Sequence, residues 1–300
     1  MELRLPGCPL FDVRQGGLSL SAEFTLSPDL VWFRGHFAGI PVLPGAAELL
    51  FVCALAEAAG AFPGHAVRVT GAEAVKFVSP ALPRERLRAD LKLDAAGGRL
   101  AFRVTSSDGS RVFSRGTLIS GESGTLPAPG GETDTGLTPI PVMDRERLSL
   151  VMPQKEPMLM ADALLSFAES PDEGTVSGVT SFTPAPSKCA ASPEGRLLHP
   201  VLVTEAMAQC VCAVMTEWHM RRGLPVPAGL LLGARDLVLE PDALGAPGAR
   251  FTASAESSFF DESRGVFSCS VTAGGRSAAA GRLSVLWLMP EALRELALGK

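Results

Sequence analysis

Three hundred residues, 46% of them apolar and 20% charged, with a net charge of −5, suffice for one large or two ordinary domains. The 31 glycines and 24 prolines stay below the share that marks a disordered chain. A pI near 5.5 excludes a broad basic surface for nucleic acid or anionic membrane, so a soluble globular protein is expected.

The start, MELRLPGCPLFDVRQ, lacks the basic and apolar regions of a signal peptide. Next in chain order, Pro44-Gly45 opens a helix reading AAELLFVCALAEAAG that ends at Gly60. It carries Glu48 and Glu57 and falls short of the roughly 18 uninterrupted apolar residues of a membrane span. Strands follow in AVKFVSPALPRERLRADLKL, RLAFRVTSS and RVFSRGTLIS, the last two joined around Asp108-Gly109. Residues 121–142, rich in Gly, Pro, Thr and Ser without apolar period, read as a linker between domains at 1–120 and 143–300. In the second piece His199-Pro200 precedes an apolar helix, VLVTEAMAQCVCAVMTEWHMRR, closed by Gly223. Strands follow again in LLLGARDLVLE, ARFTASAES, GVFSCSVTA and SAAAGRLSVLWL, with Gly274-Gly275 between the last two. A helix apolar nearly all round must be wrapped rather than laid on a surface, so each half is expected to curl an antiparallel sheet around its helix. The six cysteines form no C-x-x-C pair, and four lie in apolar stretches, which fits core packing and a reducing, cytoplasmic setting.

Of the four histidines, His36 has the most suggestive surroundings, VWFRGHFAGIPVLPGAAELL. Two prolines stiffen the segment, and Gly45 opens a helix whose free N–H groups face back along the chain. A base beside such an oxyanion-stabilising terminus suits chemistry on a thioester or ester carbonyl. His65 and His219 read as surface residues, and His199 as structural or lining an entrance.

GHFAGIPVLPG closely resembles the signature of hot-dog-fold 3-hydroxyacyl-[acyl-carrier-protein] dehydratases, which leads into their central helix. AVKFVSPALPRERLRADLKL is similar to their following strand pair, and VMPQKEPMLMADALLSF to the opening of many such subunits. LLLGARDLVL resembles helper dehydratase subunits of aryl polyene pathways. In the family the His is the catalytic base. An Asp or Glu follows it by fourteen residues on the central helix, and a Gln often lies four further. Here those positions are Leu50 and Ala54. The second half supplies the missing pattern in TEAMAQ, with Glu205 and Gln209 four apart on one helix face. Aligning Glu205 with Leu50 puts Ala191 opposite His36, so the second half lacks the base. Glu48, about 200° around the helix from position 50, reads as a charge favourable to the helix N-terminus. Glu57 reads as solvated.

The resemblance implies an α+β double hot dog, two curled antiparallel sheets each wrapped around a long central helix, as a monomeric pseudodimer or a homodimer. It implies one composite site that dehydrates a 3-hydroxyacyl thioester to the 2-enoyl thioester. His36 and Glu205 would be catalytic, Gly45 would hold the thioester oxygen, and Gln209 would orient Glu205. Phe37, Leu43, Met158 and Leu159 are the expected lining of the acyl tunnel. The partners implied are an acyl carrier protein and its small-molecule acyl thioester, with no nucleic acid or membrane. Arg34, Arg84, Arg86 and Arg88 are candidates for a basic mouth. No metal or resident cofactor is expected, the phosphopantetheine arm arriving on the carrier. The alternatives are a hot-dog thioesterase, which would make His36 dispensable, and a non-catalytic dehydratase-like scaffold.

Overall fold

The computed structural model describes all residues except 1–6, 38, 59, 128–139, 189–190, 192–194, 245–249 and 298–300. Most of the expected linker, and Cys189, therefore lie outside the described residues. The first half contains β1 (Leu10–Gly16), β2 (Ser19–Thr25), α1 (Gly45–Glu57), β3 (Val69–Phe77), β4 (Arg86–Leu93), β5 (Arg99–Ser106) and β6 (Val112–Ser120). The second contains α2 (Arg145–Val151), β7 (Ala161–Ser170), β8 (Thr175–Phe182), α3 (Val203–Arg221) and β9 (Ala228–Leu239). It continues with β10 (Phe251–Phe260), β11 (Arg264–Ala273), β12 (Arg276–Leu288) and α4 (Pro290–Ala297).

The strands lie in the order β1-β2-β4-β5-β6-β3-β9-β12-β11-β10-β8-β7. Each half thus repeats one topology: a hairpin, a helix, a strand at the far edge, then a three-strand meander. The two curled sheets expected from the sequence are joined into one, because β3 and β9 pair antiparallel, Gly71 opposite Val238 and Lys76 opposite Gly233. Two absent side chains permit this seam. A Cβ on Gly71 would sit 2.2 Å from the Leu237 carbonyl oxygen, and one on Gly233 2.4 Å from that of Val75. Glycine inside a strand marks such a close backbone approach.

α1 follows Pro44, whose extended backbone (φ −60°, ψ 142°) sets the entry angle, and it buries residues on every face, from Ala46 through Ala56. Helix α3 continues a short 3-10 turn at Pro200–Leu202 and packs against β7, β8, β10 and β11. By length and composition residues 200–221 could span a bilayer, but they are wrapped inside the fold. The hairpin turns form where expected, with Gly109, Gly274 and Gly275 all at positive φ. One apolar core runs through both halves, and α4 covers a smaller cluster of Phe37, Ile40, Val42 and Ala228. The five described cysteines are buried and unbridged. His219 is buried as well, its Nδ1 2.7 Å from the Met215 carbonyl oxygen, which corrects its reading as a surface residue.

Candidate active site

A loop from the first half carries His36, and a segment of the second half holds that loop in place. The Lys155 N–H donates to the Gly35 carbonyl oxygen at 2.6 Å. Gly35 has φ +81°, and a Cβ there would meet the Lys155 carbonyl oxygen at 2.3 Å, so only glycine fits this crossing. The His36 Nδ1 lies 2.9 Å from the Val42 carbonyl oxygen. That contact makes Nδ1 the protonated nitrogen and leaves Nε2 as the basic one. Burial pushes the imidazole below its ordinary pKa, against the opposing pull of Glu205 and the Val42 carbonyl.

Glu205 comes from the first turn of α3, and Gln209 lies one turn on. The Gln209 amide nitrogen donates to Glu205 Oε1 at 2.9 Å and to the Met158 carbonyl oxygen at 2.7 Å. Its Oε1 accepts the Met160 N–H at 2.7 Å. Gln209 therefore ties the acid to the same stretch of chain that grips the His36 loop. The expected orienting geometry is present, and this stretch extends it across the two halves.

His36 and Glu205 line one cavity of about 170 Å³, together with Gly45, Leu43, Glu48 and Gln154. The cavity is also lined by Phe77 from β3, Leu230–Leu232 from β9, and Val285–Trp287 from β12. Val78 and Leu296, both well exposed, stand on its outer part. Gly45 is shaped for contact, since a Cβ there would strike the Phe77 ring at 2.8 Å.

Leu43 is the one expected tunnel residue that lines this cavity. Phe37 instead packs into the cluster beneath α4, with its ring 4.1 Å from that of His36. Met158 and Leu159 are completely buried in the main core. Their segment turns its backbone, not its side chains, toward the site, because Gln209 claims the Met158 carbonyl and Met160 N–H. The wall is formed by β9 and β12, which only the seam brings to His36.

None of Arg34, Arg84, Arg86 and Arg88 lines the cavity. Arg86 is paired with Glu23 and Arg88 with Asp90, so neighbouring carboxylates already compensate both charges. Arg34 borders a separate open groove with Arg145 and Lys188. Glu57 is not a solvated charge. Its Oε2 meets His199 Nε2 at 2.9 Å while its Oε1 accepts the Val69 N–H, so His199 has the structural role.

Glu48 does lie in the first turn of α1, as expected, but in a setting the sequence did not indicate. It is 4% exposed and lines the cavity. Its angle from position 50 was sound, but position 50 was the wrong reference. The cavity touches α1 only at its first turn, on the face of Gly45 and Glu48, and Leu50 points into the core. An acidic residue one turn from the motif's last glycine was the available signal. Gln154 is also 4% exposed and accepts from the Cys212 thiol at 3.5 Å. Burial pushes that thiol up to about 12, so it stays protonated at neutral pH.

The sequence model of ApeI-like dehydratases (ApeI dehydratase) matches residues 12–117, and that of ApeP-like dehydratases (ApeP dehydratase) matches residues 146–296. The chain belongs to the ApeP-like dehydratases, and its first half is similar to the ApeI-like ones. Among solved structures, the bifunctional dehydratase-cyclase domain in ambruticin biosynthesis is 18% identical, covering 97% of this chain and 99% of that one, with a TM-score of 0.61. The dehydratase domain of PpsC from Mycobacterium tuberculosis in complex with C12:1-CoA is also 18% identical, over 93% and 98%, with a TM-score of 0.61. A trans-AT PKS dehydratase domain from Brevibacillus brevis is 13% identical over 93% and 97%, with a TM-score of 0.66. At these identities the likeness establishes the double hot dog fold. No curated protein matches the sequence significantly.

Proposed function

We propose that this dehydratase removes water from a 3-hydroxyacyl thioester carried on an acyl carrier protein, in polyketide- or polyene-type synthesis, at one composite site. The observation that carries this reading is the single cavity shared by His36 of the first half, Glu205 of the second and the α1 N-terminus at Gly45. The Gly45 N–H, the first of its helix, has no intrahelical acceptor and is available to the thioester oxygen. As C2 loses its proton, negative charge grows on that oxygen, and such a donor is typically worth about 2.7–4 kcal/mol. His36 Nε2 takes the C2 proton, its tautomer set by Val42. Glu205 supplies a proton to the departing 3-hydroxyl from Oε2, since Oε1 accepts from Gln209. The C3–O bond breaks, the C2–C3 double bond forms, and water leaves. The new imidazolium is then held by the adjacent Glu205 carboxylate, and proton exchange through solvent resets the pair. The carrier's phosphopantetheine arm enters with the substrate, and the two halves act as a covalent pseudodimer.

The test is an assay for enoyl thioester formation from 3-hydroxyacyl carrier-protein and coenzyme A substrates. His36→Ala and Glu205→Gln are each expected to lose about 10²–10⁴-fold in kcat. Retained turnover in both variants refutes the mechanism. Hydrolysis without dehydration identifies a thioesterase, and neither reaction identifies a scaffold.

A further inference from the structure

Behind the segment that holds Gln209 stand two cations that the dehydration steps do not use. Lys188 is 6% exposed, although a lysine is almost never buried without a partner. Its Nζ donates to the Met160 carbonyl oxygen and to Asp162 Oδ1, each at 2.8 Å. Arg145, half-buried at the start of α2 and also paired with Glu156, donates to the Leu159 carbonyl oxygen at 3.0 Å. It reaches the same Asp162 oxygen at 2.9 Å. Two cations thus share one carboxylate oxygen, and each caps one of two consecutive carbonyls. The N–H groups of those same two peptide units belong to Met160 and Ala161, and both donate to Gln209 Oε1, at 2.7 and 3.4 Å. Two donors there fix the amide oxygen on that side, so the amide nitrogen faces Glu205 Oε1 at 2.9 Å. Neither Lys188 nor Arg145 lines the catalytic cavity; both border the open groove beside Arg34.

Resting on the dehydratase reading above, we infer that Lys188 is a positioning residue for the catalytic acid, assisted by Arg145, acting through the Leu159–Ala161 backbone and Gln209 on Glu205. A cation that donates to a carbonyl draws charge out of that amide and strengthens the bond its N–H gives on the other side. Bonds in such a chain reinforce one another, so the two cations tighten the grip on Gln209 Oε1. Gln209 in turn keeps Glu205 Oε1 occupied and leaves Oε2 for the departing hydroxyl. Filling the space alone would favour a hydrocarbon side chain, because a buried charge carries a desolvation cost that its pairing must offset. Burial indeed draws the Lys188 pKa down, against the opposing pull of Asp162.

The test uses the full chain and two thioesters of one acyl chain, a 3-hydroxy and a 3-chloro form matched at C3. From the first, the C3–O bond breaks and the hydroxyl leaves as water with a proton from Glu205. From the second, chloride leaves with the C3–Cl electron pair while His36 still takes the C2 proton, so no acid is required. Lys188→Met should lower kcat on the 3-hydroxy form by about 10–100-fold with KM within about twofold, and leave kcat on the 3-chloro form within about threefold. Lys188→Gln, which keeps a neutral donor for the Met160 carbonyl, should recover part of the loss. Arg145→Met, at a more exposed position, should show the same selective loss, smaller in size, and serves if Lys188→Met fails to fold. The ratio of the two rates does not depend on how much of a variant is folded, so a merely structural role leaves it unchanged. A wild type that processes both thioesters, with the variants at its ratio, overturns the inference alone. A wild type that releases no enoyl thioester from either form refutes the dehydration reading, and the inference falls with it.

Discussion

Before α1 the chain holds His36, whereas at the matching point before α3 it holds Ala191. Glu205 on α3 corresponds to Leu50 on α1. Where a second site would be, the two halves meet instead through His199 and Glu57. Among the described residues there, Glu57 takes the Val69 N–H and the His199 ring, and His199 Nδ1 accepts the Val201 N–H. On the His36 side, Glu48 retains an orphaned oxygen and burial depresses the imidazole. One topology has thus produced an open, costly arrangement on one side and a satisfied joint on the other. The difference teaches that duplicated halves can divide reactivity from cohesion, so that losing a residue on each side need not lose the site.

The largest effect should come from the reactive side. His36→Ala is expected to lower kcat for dehydration by about 10³-fold or more, with the thermal midpoint nearly unchanged. Gly35→Ala should approach it, at about 10²-fold, because a Cβ at φ +81° drives the His36 loop off the Lys155 carbonyl. Gln209→Leu would strip partners from Glu205, the Met158 carbonyl and the Met160 N–H together. It should cost about 2–4 kcal/mol in urea unfolding and reduce turnover as well. Glu57→Ala probes the satisfied side: about 1–2 kcal/mol of stability should go, with kcat within about twofold of wild type. A large kcat loss there would break the division between the two sides.

The smallest effect concerns pH. The folded His36 pKa lies below its ordinary value, so the unfolded chain takes up the proton first. Its contribution to stability is full above about pH 6.5. It erodes as pH falls toward and through the folded pKa. The acid limb of kcat/KM should likewise sit below pH 6.5, and His36→Gln should flatten the stability change between pH 7 and 5. A limb at or above 6.5 contradicts the burial of this imidazole.

Much of this was legible in the sequence. Proline and glycine punctuation marked both helices, turn glycines marked the hairpins, and a four-residue spacing put Glu205 and Gln209 on one face. The pairing of His36 with Glu205 came from the resemblance to the dehydratase family, each half lacking one member of that family's pattern. The tunnel was not legible, because Phe37, Met158 and Leu159 look the same to periodicity whether they line a channel or fill a core. The burial of Glu48 on the cavity wall was not legible for a related reason: it depends on which wall the other half presents. The continuous sheet hid too, since nothing in the spacing of β3 or β9 announces its partner.

Gly71 and Gly233 give that sheet a further meaning. One wall of the cavity hangs from the end of β3 through Phe77, and another from β9 through Leu230–Leu232. Strands pair at about 4.8 Å only when nothing intrudes between their backbones. The two missing methyl groups in the seam therefore set how closely the strands that carry these two walls approach each other.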